Sequence, residues 1–108
     1  MPALLGPAES LALPMTDSPG VTVEAIEDAR RAIAGHVRVT PVWPSLMAGE
    51  MAGVPVFFKC EQMQFTGSFK IRGATNFVRQ LGPEVGGLVA ASAGNHAQGV
   101  ALAGARRG

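Results

Sequence analysis

The stretch "VPVFFKCEQMQFTGSFKIRGATNFVRQLGP", residues 54–83, changes its hydrophobic period halfway along. Its opening, "VPVFFKCE", is rich in β-branched and aromatic residues and apolar on both faces in its middle, which predicts a buried strand. From Ser68 onward, Ile71, Ala74, Val78 and Leu81 return at helical spacing, and Gly82-Pro83 predicts the stop. Further on, "GLVAAS" (87–92) reads as a second short apolar strand, and a helix follows from about His96 to Arg106, whose alanines and Gly99 allow close packing.

Working outward, Thr22 can cap a helix that runs to about Gly35, with Glu24, Glu27 and Asp28 in its first half and Arg30, Arg31 and His36 towards or past its end. That order complements the helix dipole. Val23, Ile26, Ala29 or Arg30, and Ile33 supply its periodic face. Pro41 and Pro44 force "RVTPVWP" into an extended path, and "SLMAGEMAG" predicts a short helix ended by Gly53. The predicted architecture is α/β with a parallel sheet, because both strands run into helices that begin with small or polar residues. In such sheets ligands bind beyond the carboxyl ends of the strands, and "GSFKIRGA" (67–74) and "ASAGNHAQG" (91–99) both fall there.

Composition bounds the functions open to the chain. With 108 residues there is room for one small domain, and 47% hydrophobic against 16% charged describes a globular chain rather than a disordered one. A net charge of +1 gives no strong pull towards nucleic acid or a membrane surface, so the expected partner is a small molecule. The single cysteine, Cys60, permits no internal disulfide and reads as a buried apolar residue of the strand; a reducing cytoplasm fits, and no metal set is expected. Residues 1–20, with four prolines and no basic start, fail as a signal peptide and read as a disordered leader, with Met15 an alternative start.

Two places carry candidate chemistry. The turn from Ser92 through Ala93 and Gly94 into a helix near Asn95 or His96 aims free backbone amides into one concavity, beside a hydroxyl and a carboxamide. An anion is its natural occupant, either a substrate carboxylate or a cofactor phosphate. The ordinary alternative is a structural turn in which Ser92 or Asn95 caps the helix. Lys70 is the other place. A lysine in a helix's first turn usually sits in water, but at the head of an apolar helix after a buried strand its ammonium could be desolvated, its pKa lowered, and the amine made a nucleophile for an aldehyde.

Taken together, "FFKCEQMQFTGSFKIRGATNFVRQL", "ASAGNHAQGVALA" and "VTP" at 39–41 resemble the N-terminal part of the threonine dehydratase and serine racemase family, from about Val23 to the last residue. These are pyridoxal-phosphate enzymes of the tryptophan-synthase β-subunit fold, so the resemblance implies the N-terminal part of a three-layer, parallel-sheet fold type II enzyme. It implies that Lys70 carries pyridoxal 5'-phosphate as a Schiff base, that Phe69 packs against the ring, and that Asn95 hydrogen-bonds the phenolic oxygen. Ser92, Ala93, Gly94, Asn95 and His96 would receive the substrate carboxylate.

The reaction so implied is loss of the β-hydroxyl from threonine or serine, with Lys70 as the base, giving 2-oxobutanoate or pyruvate plus ammonia in amino-acid metabolism such as isoleucine biosynthesis. Racemases of the family carry a serine directly before the loop glycine; Ala93 stands there, which favours dehydratase over racemase. A rival of another class reads "AASAG" (90–94) as a nucleophile elbow with Ser92 acylated, but no acidic residue follows Ser92 and His96 alone is left as base. A noncatalytic binding module is the third reading. The family's phosphate-binding glycine loop and pyridine-nitrogen partner have no counterpart in these residues, so residues 21–108 read as an incomplete catalytic domain of a larger enzyme, a homo-oligomer at full length. Alone, such a segment is expected to fold poorly and to be inactive, because two strands leave edges and apolar faces uncovered.

Overall fold

The computed structural model describes residues 20–108. In chain order its elements are α1 (Val23–Ala32), β1 (Val42–Pro44), α2 (Leu46–Ala52), β2 (Phe57–Lys59), α3 (Lys70–Val78) and α4 (Asn95–Arg107), with two short 3-10 turns at Glu61–Met63 and Phe65–Gly67 between β2 and α3. The expected leader and the alternative start at Met15 lie outside the described residues, Gly20 excepted.

The core forms where α3 and α4 cross. Ile71, Ala74 and Val78 of α3 and Ala103 of α4 are buried together, with Val37, Phe65, Leu88, Val100 and Leu102 packed around them. The helical spacing from Ser68 therefore predicts the right face of α3, although the helix begins at Lys70 and Leu81 lies just beyond its end. Ile71 is fully enclosed, which contributes roughly 1.5–3 kcal/mol of apolar burial. Gly99 is what lets the helices meet so closely: a Cβ built there would lie 3.2 Å from the Lys70 carbonyl carbon and 3.3 Å from the Ile71 nitrogen.

Helix ends follow local chemistry. Thr22 caps α1 by accepting from the Ala25 amide at 3.1 Å, and Ser45 caps α2 by accepting from Ala48 at 3.3 Å. Gly35 (φ 80°) and Gly53 (φ 70°) take the left-handed conformation that ends each helical stretch. The apolar face expected of α1 is buried at Ile33, just past the helix end; Val23 and Ile26 stay exposed because α1 makes no substantial contact with another described element.

Three sheet expectations are corrected. β2 spans only Phe57–Lys59, and Phe57 and Phe58 are exposed rather than buried. Its partner is β1, antiparallel, in the register Val42 to Lys59, Trp43 to Phe58 and Pro44 to Phe57. The extended path imposed by Pro41 and Pro44 supplies that partner, and Ser45 N–H to Val56 O (2.9 Å) and Cys60 N–H to Pro41 O (2.9 Å) continue the pairing at both ends. "GLVAAS" forms no strand: a ladder needs a neighbour to pair with, and no described strand runs beside residues 87–92. Leu88 packs on the core there while Val89 is fully exposed. Cys60 is buried, as expected of a small apolar residue.

Candidate active site at the heads of two helices

Lys70 is the first residue of α3, and the chain reaches it through an improbable turn. Thr66 (φ 62°) and Gly67 (φ 73°) are consecutive left-handed residues, a conformation that glycine accepts freely and a β-branched threonine does not. The buried Ser68 then accepts a hydrogen bond from the Lys70 amide at 3.3 Å through its hydroxyl. The Lys70 ammonium stands 5.2 Å from the centroid of the Phe69 ring. Among the described residues no carboxylate pairs with Lys70. The chain's other lysine, Lys59, is by contrast tied to the Thr40 carbonyl at 2.6 Å. Lys70 is exposed, so the desolvation expected of it is not supplied by residues 20–108.

The second half of the site is the head of α4. Gly94 occupies the cap position and no side chain caps the helix, which leaves its first amides open; the cap expected from Ser92 or Asn95 is not made. Ser92 instead accepts from the Gly94 amide at 3.2 Å and so shapes the turn. Asn95 lies one turn before Gly99, hence on the α4 face that meets Lys70. Ala93, Asn95 and His96 are exposed, and His96 borders a cavity of about 300 Å³ with Gly73, Phe77 and Val89. The fold thus brings Lys70, Phe69, Asn95 and the Ser92–Gly94 turn to one end of the helix pair, with His96 displaced to the neighbouring cavity.

Behind α3 lies a polar cluster. Arg72 forks onto Glu61 through Nε (2.8 Å) and an Nη (2.7 Å), and the same carboxylate accepts from the Thr40 hydroxyl. Gln64, itself buried, clasps Arg38 by accepting from its N–H at 2.8 Å and donating to its carbonyl at 2.9 Å. The Arg72 guanidinium, aided by Thr40 and Lys59 and opposed by burial, pulls the Glu61 carboxyl down to about 2 from an ordinary 4.5. A depressed carboxyl stabilises the fold above its unfolded pKa and loses that contribution as pH falls through the folded one. Acid unfolding should therefore show a component between about pH 4.5 and 2. Glu61→Gln should flatten this limb and cost about 1–2 kcal/mol at neutral pH, measured by urea unfolding across pH, since Arg72 is still partly solvated.

A primary amine beside an aromatic ring, with no carboxylate partner among the described residues and at the same end of the helix pair as the open amides and carboxamide of a helix head, belongs to a set of groups suited to an anionic aromatic aldehyde. The contact at Gly99, which a Cβ would fill, holds the two halves of that set together. This is the class of site that cofactor-bearing α/β enzymes build at helix N-termini. Residues 33–108 match the model of the family described as pyridoxal-phosphate dependent enzyme, and the chain belongs to that family. It is 48% identical over 85 residues to the L-threonine ammonia-lyase of Thermotoga maritima, covering 77% of this chain and 21% of that protein. It is also 48% identical over 85 residues to a catabolic L-threonine dehydratase of Staphylococcus aureus, covering 76% of this chain and 25% of that one. The structure of maize serine racemase superposes with a TM-score of 0.71 at 45% identity, over 79% of this chain and 27% of that one. The chain thus spans about a fifth to a quarter of the length of the curated relatives it matches. Its fold is part of the fold type II architecture of these pyridoxal-phosphate enzymes, and its cofactor is pyridoxal phosphate.

Sequence reasoning singled out Lys70 and the 92–96 turn but missed the cluster behind them. Thr66 in a left-handed conformation contradicts its own propensity, so nothing local announces it. Arg72 was legible as a charge close to Lys70, yet its partner Glu61 belongs to another turn and pairs with it only through the fold.

Proposed function

We propose that residues 21–108 are the N-terminal segment of the catalytic domain of a threonine or serine dehydratase, which eliminates the β-hydroxyl to give 2-oxobutanoate or pyruvate and ammonia. The observation that carries this reading is the Lys70 amine at the head of α3, without a carboxylate partner among the described residues, on a backbone packed against Gly99 one turn below the open head of α4. Membership of the pyridoxal-phosphate family and the names of the lyase relatives support it.

In this reading Lys70, Phe69 and Asn95 hold pyridoxal phosphate, which when bound supplies an electron sink for charge developing at the substrate's α-carbon. Lys70 Nζ, once free, takes the α-proton of the amino acid as general base. The open helix-head amides from Asn95 onward, in the turn that Ser92 shapes by accepting from the Gly94 amide, bind the substrate carboxylate, since open helix-head amides favour an anion. His96 closes the side of the turn next to the cavity. The assay is release of 2-oxobutanoate from threonine by the full-length protein with added cofactor. Release of no 2-oxo acid from threonine or serine would refute the assignment.

A second reading, serine racemase, is supported by the likeness to the maize enzyme. Ala93 weighs against it, because a methyl group cannot shuttle a proton at the exposed turn. Ala93→Ser in the full-length protein should raise D-serine formation relative to pyruvate by about tenfold, within the range of a positioned acid–base group. An unchanged partition, or a wild type that racemises as fast as it eliminates, would favour the racemase reading. The 2-oxo acid product suits isoleucine biosynthesis, or amino-acid degradation as the Staphylococcus relative is named. We place the full-length protein in the cytoplasm as a homo-oligomer without nucleic-acid or membrane partners. The single cysteine and near-neutral charge support that, and among the described residues no helix is long and apolar enough to cross a membrane.

A further inference from the structure

Resting on the assignment of Lys70 above, we infer that the Glu61–Arg72 fork is a positioning device that sets the rotation of α3 and thereby the direction in which the Lys70 amine points. Successive helical residues turn by 100°, so Arg72 projects about 200° around α3 from Lys70. It cannot touch what Lys70 holds, and it grips the helix from behind. On the face toward α4, Gly99 packs so close that a Cβ built there would lie 3.2 Å from the Lys70 carbonyl carbon and 3.3 Å from the Ile71 nitrogen. Between these two grips the only freedom left to the head of α3 is a roll or a slide.

The fork is built to prevent both. Arg72 uses two donors of its planar guanidinium on the two oxygens of Glu61, which fixes an angle as well as a distance. A further donor reaches the Arg38 carbonyl at 3.3 Å. Glu61 is itself anchored, because its carboxylate takes the Thr40 hydroxyl and residue 40 is pinned through its carbonyl to Lys59. The Glu61 and Arg72 side chains are 16% and 30% exposed, so water competes with the pair only weakly. The left-handed Thr66 lies on the path between Glu61 and Lys70, with its hydroxyl buried and unpartnered among the described residues. A conformation of that cost persists only when the structure on both sides dictates it. The fork and the Gln64 clasp on Arg38 supply that constraint on one side, and the Gly99 contact supplies it on the other.

The substrate's carboxylate is received on α4, away from the fork, so loosening α3 should lower turnover while leaving binding nearly intact. Arg72→Lys keeps the charge and loses the fork; Glu61→Gln keeps the shape and loses the charge. In the full-length protein with pyridoxal phosphate, both are expected to lower kcat for threonine about tenfold or more, the cost of a small misplacement, with KM within about twofold. Both should also lower the circular dichroism induced in the bound cofactor by about half, since that signal reports its orientation and not turnover. If both variants lose thermal stability while kcat, KM and the induced signal match the unsubstituted protein, the pair is merely structural and the inference falls. If Arg72→Lys restores every reading, charge suffices and the fork geometry is refuted. Borohydride labelling of the unsubstituted protein separates the premises: a label absent from Lys70 overturns the assignment and this inference together, and a label on Lys70 with unmoved variants overturns this inference alone.

Discussion

Borohydride reduction of the full-length protein with pyridoxal phosphate is expected to leave the pyridoxyl mass on the peptide containing Lys70. Lys70→Ala should then lose that label and reduce release of 2-oxo acid by about 10³-fold or more, the combined loss of covalent attachment and of the base. Within residues 1–108 Lys59 is the natural internal control. Its ammonium already donates to the Thr40 carbonyl at 2.6 Å, whereas the Lys70 ammonium lies by the Phe69 ring with no carboxylate partner among the described residues. Label on Lys59, or on a lysine outside this segment, would show that the head of α3 is not where the cofactor attaches. Loss of activity in Lys70→Ala without loss of label would leave the base in place and refute the attachment.

Gly99→Val should have the largest effect on stability. The new Cβ would approach the Lys70 carbonyl carbon at 3.2 Å and the Lys70 oxygen and Ile71 nitrogen at 3.3 Å, all of them backbone atoms of α3 that cannot rotate aside. Two further methyl groups would force the helices apart, at about 1–3 kcal/mol for overpacking together with burial lost around Ile71. Because the displaced atoms belong to Lys70, cofactor labelling should fall along with the urea midpoint. Gly99→Ala tests the same contact more gently, and an unchanged midpoint in both variants would mean the helices have room that the geometry denies. Gly73 is the contrast: it lies inside α3 with nothing within 4 Å of a built Cβ, so Gly73→Ala should hold or raise stability by up to about 1 kcal/mol.

The residue pattern alone determined the helices and the candidate site. Thr22 and Ser45 cap, Gly35 and Gly53 stop, and Ile71, Ala74 and Val78 mark a buried face; each follows from neighbours within one or two turns and is therefore written locally. The motif around Lys70 and the turn at 92–96 was likewise legible, because helix heads and small-residue turns are short-range features. What tertiary structure decided were the pairings between distant segments. A run such as "VFFK" is equally apolar whether its neighbour is parallel or antiparallel, and only the Pro41–Pro44 segment lying alongside made β1 and β2 antiparallel. "GLVAAS" has strand composition but no partner among the described residues, and backbone hydrogen bonds, unlike propensity, need one. Glu61 and Arg72, Gln64 and Arg38, and Gly99 and Lys70 meet because the chain folds back on itself between them. Contacts across that separation are fixed by the packing of whole elements, so no window of sequence contains them.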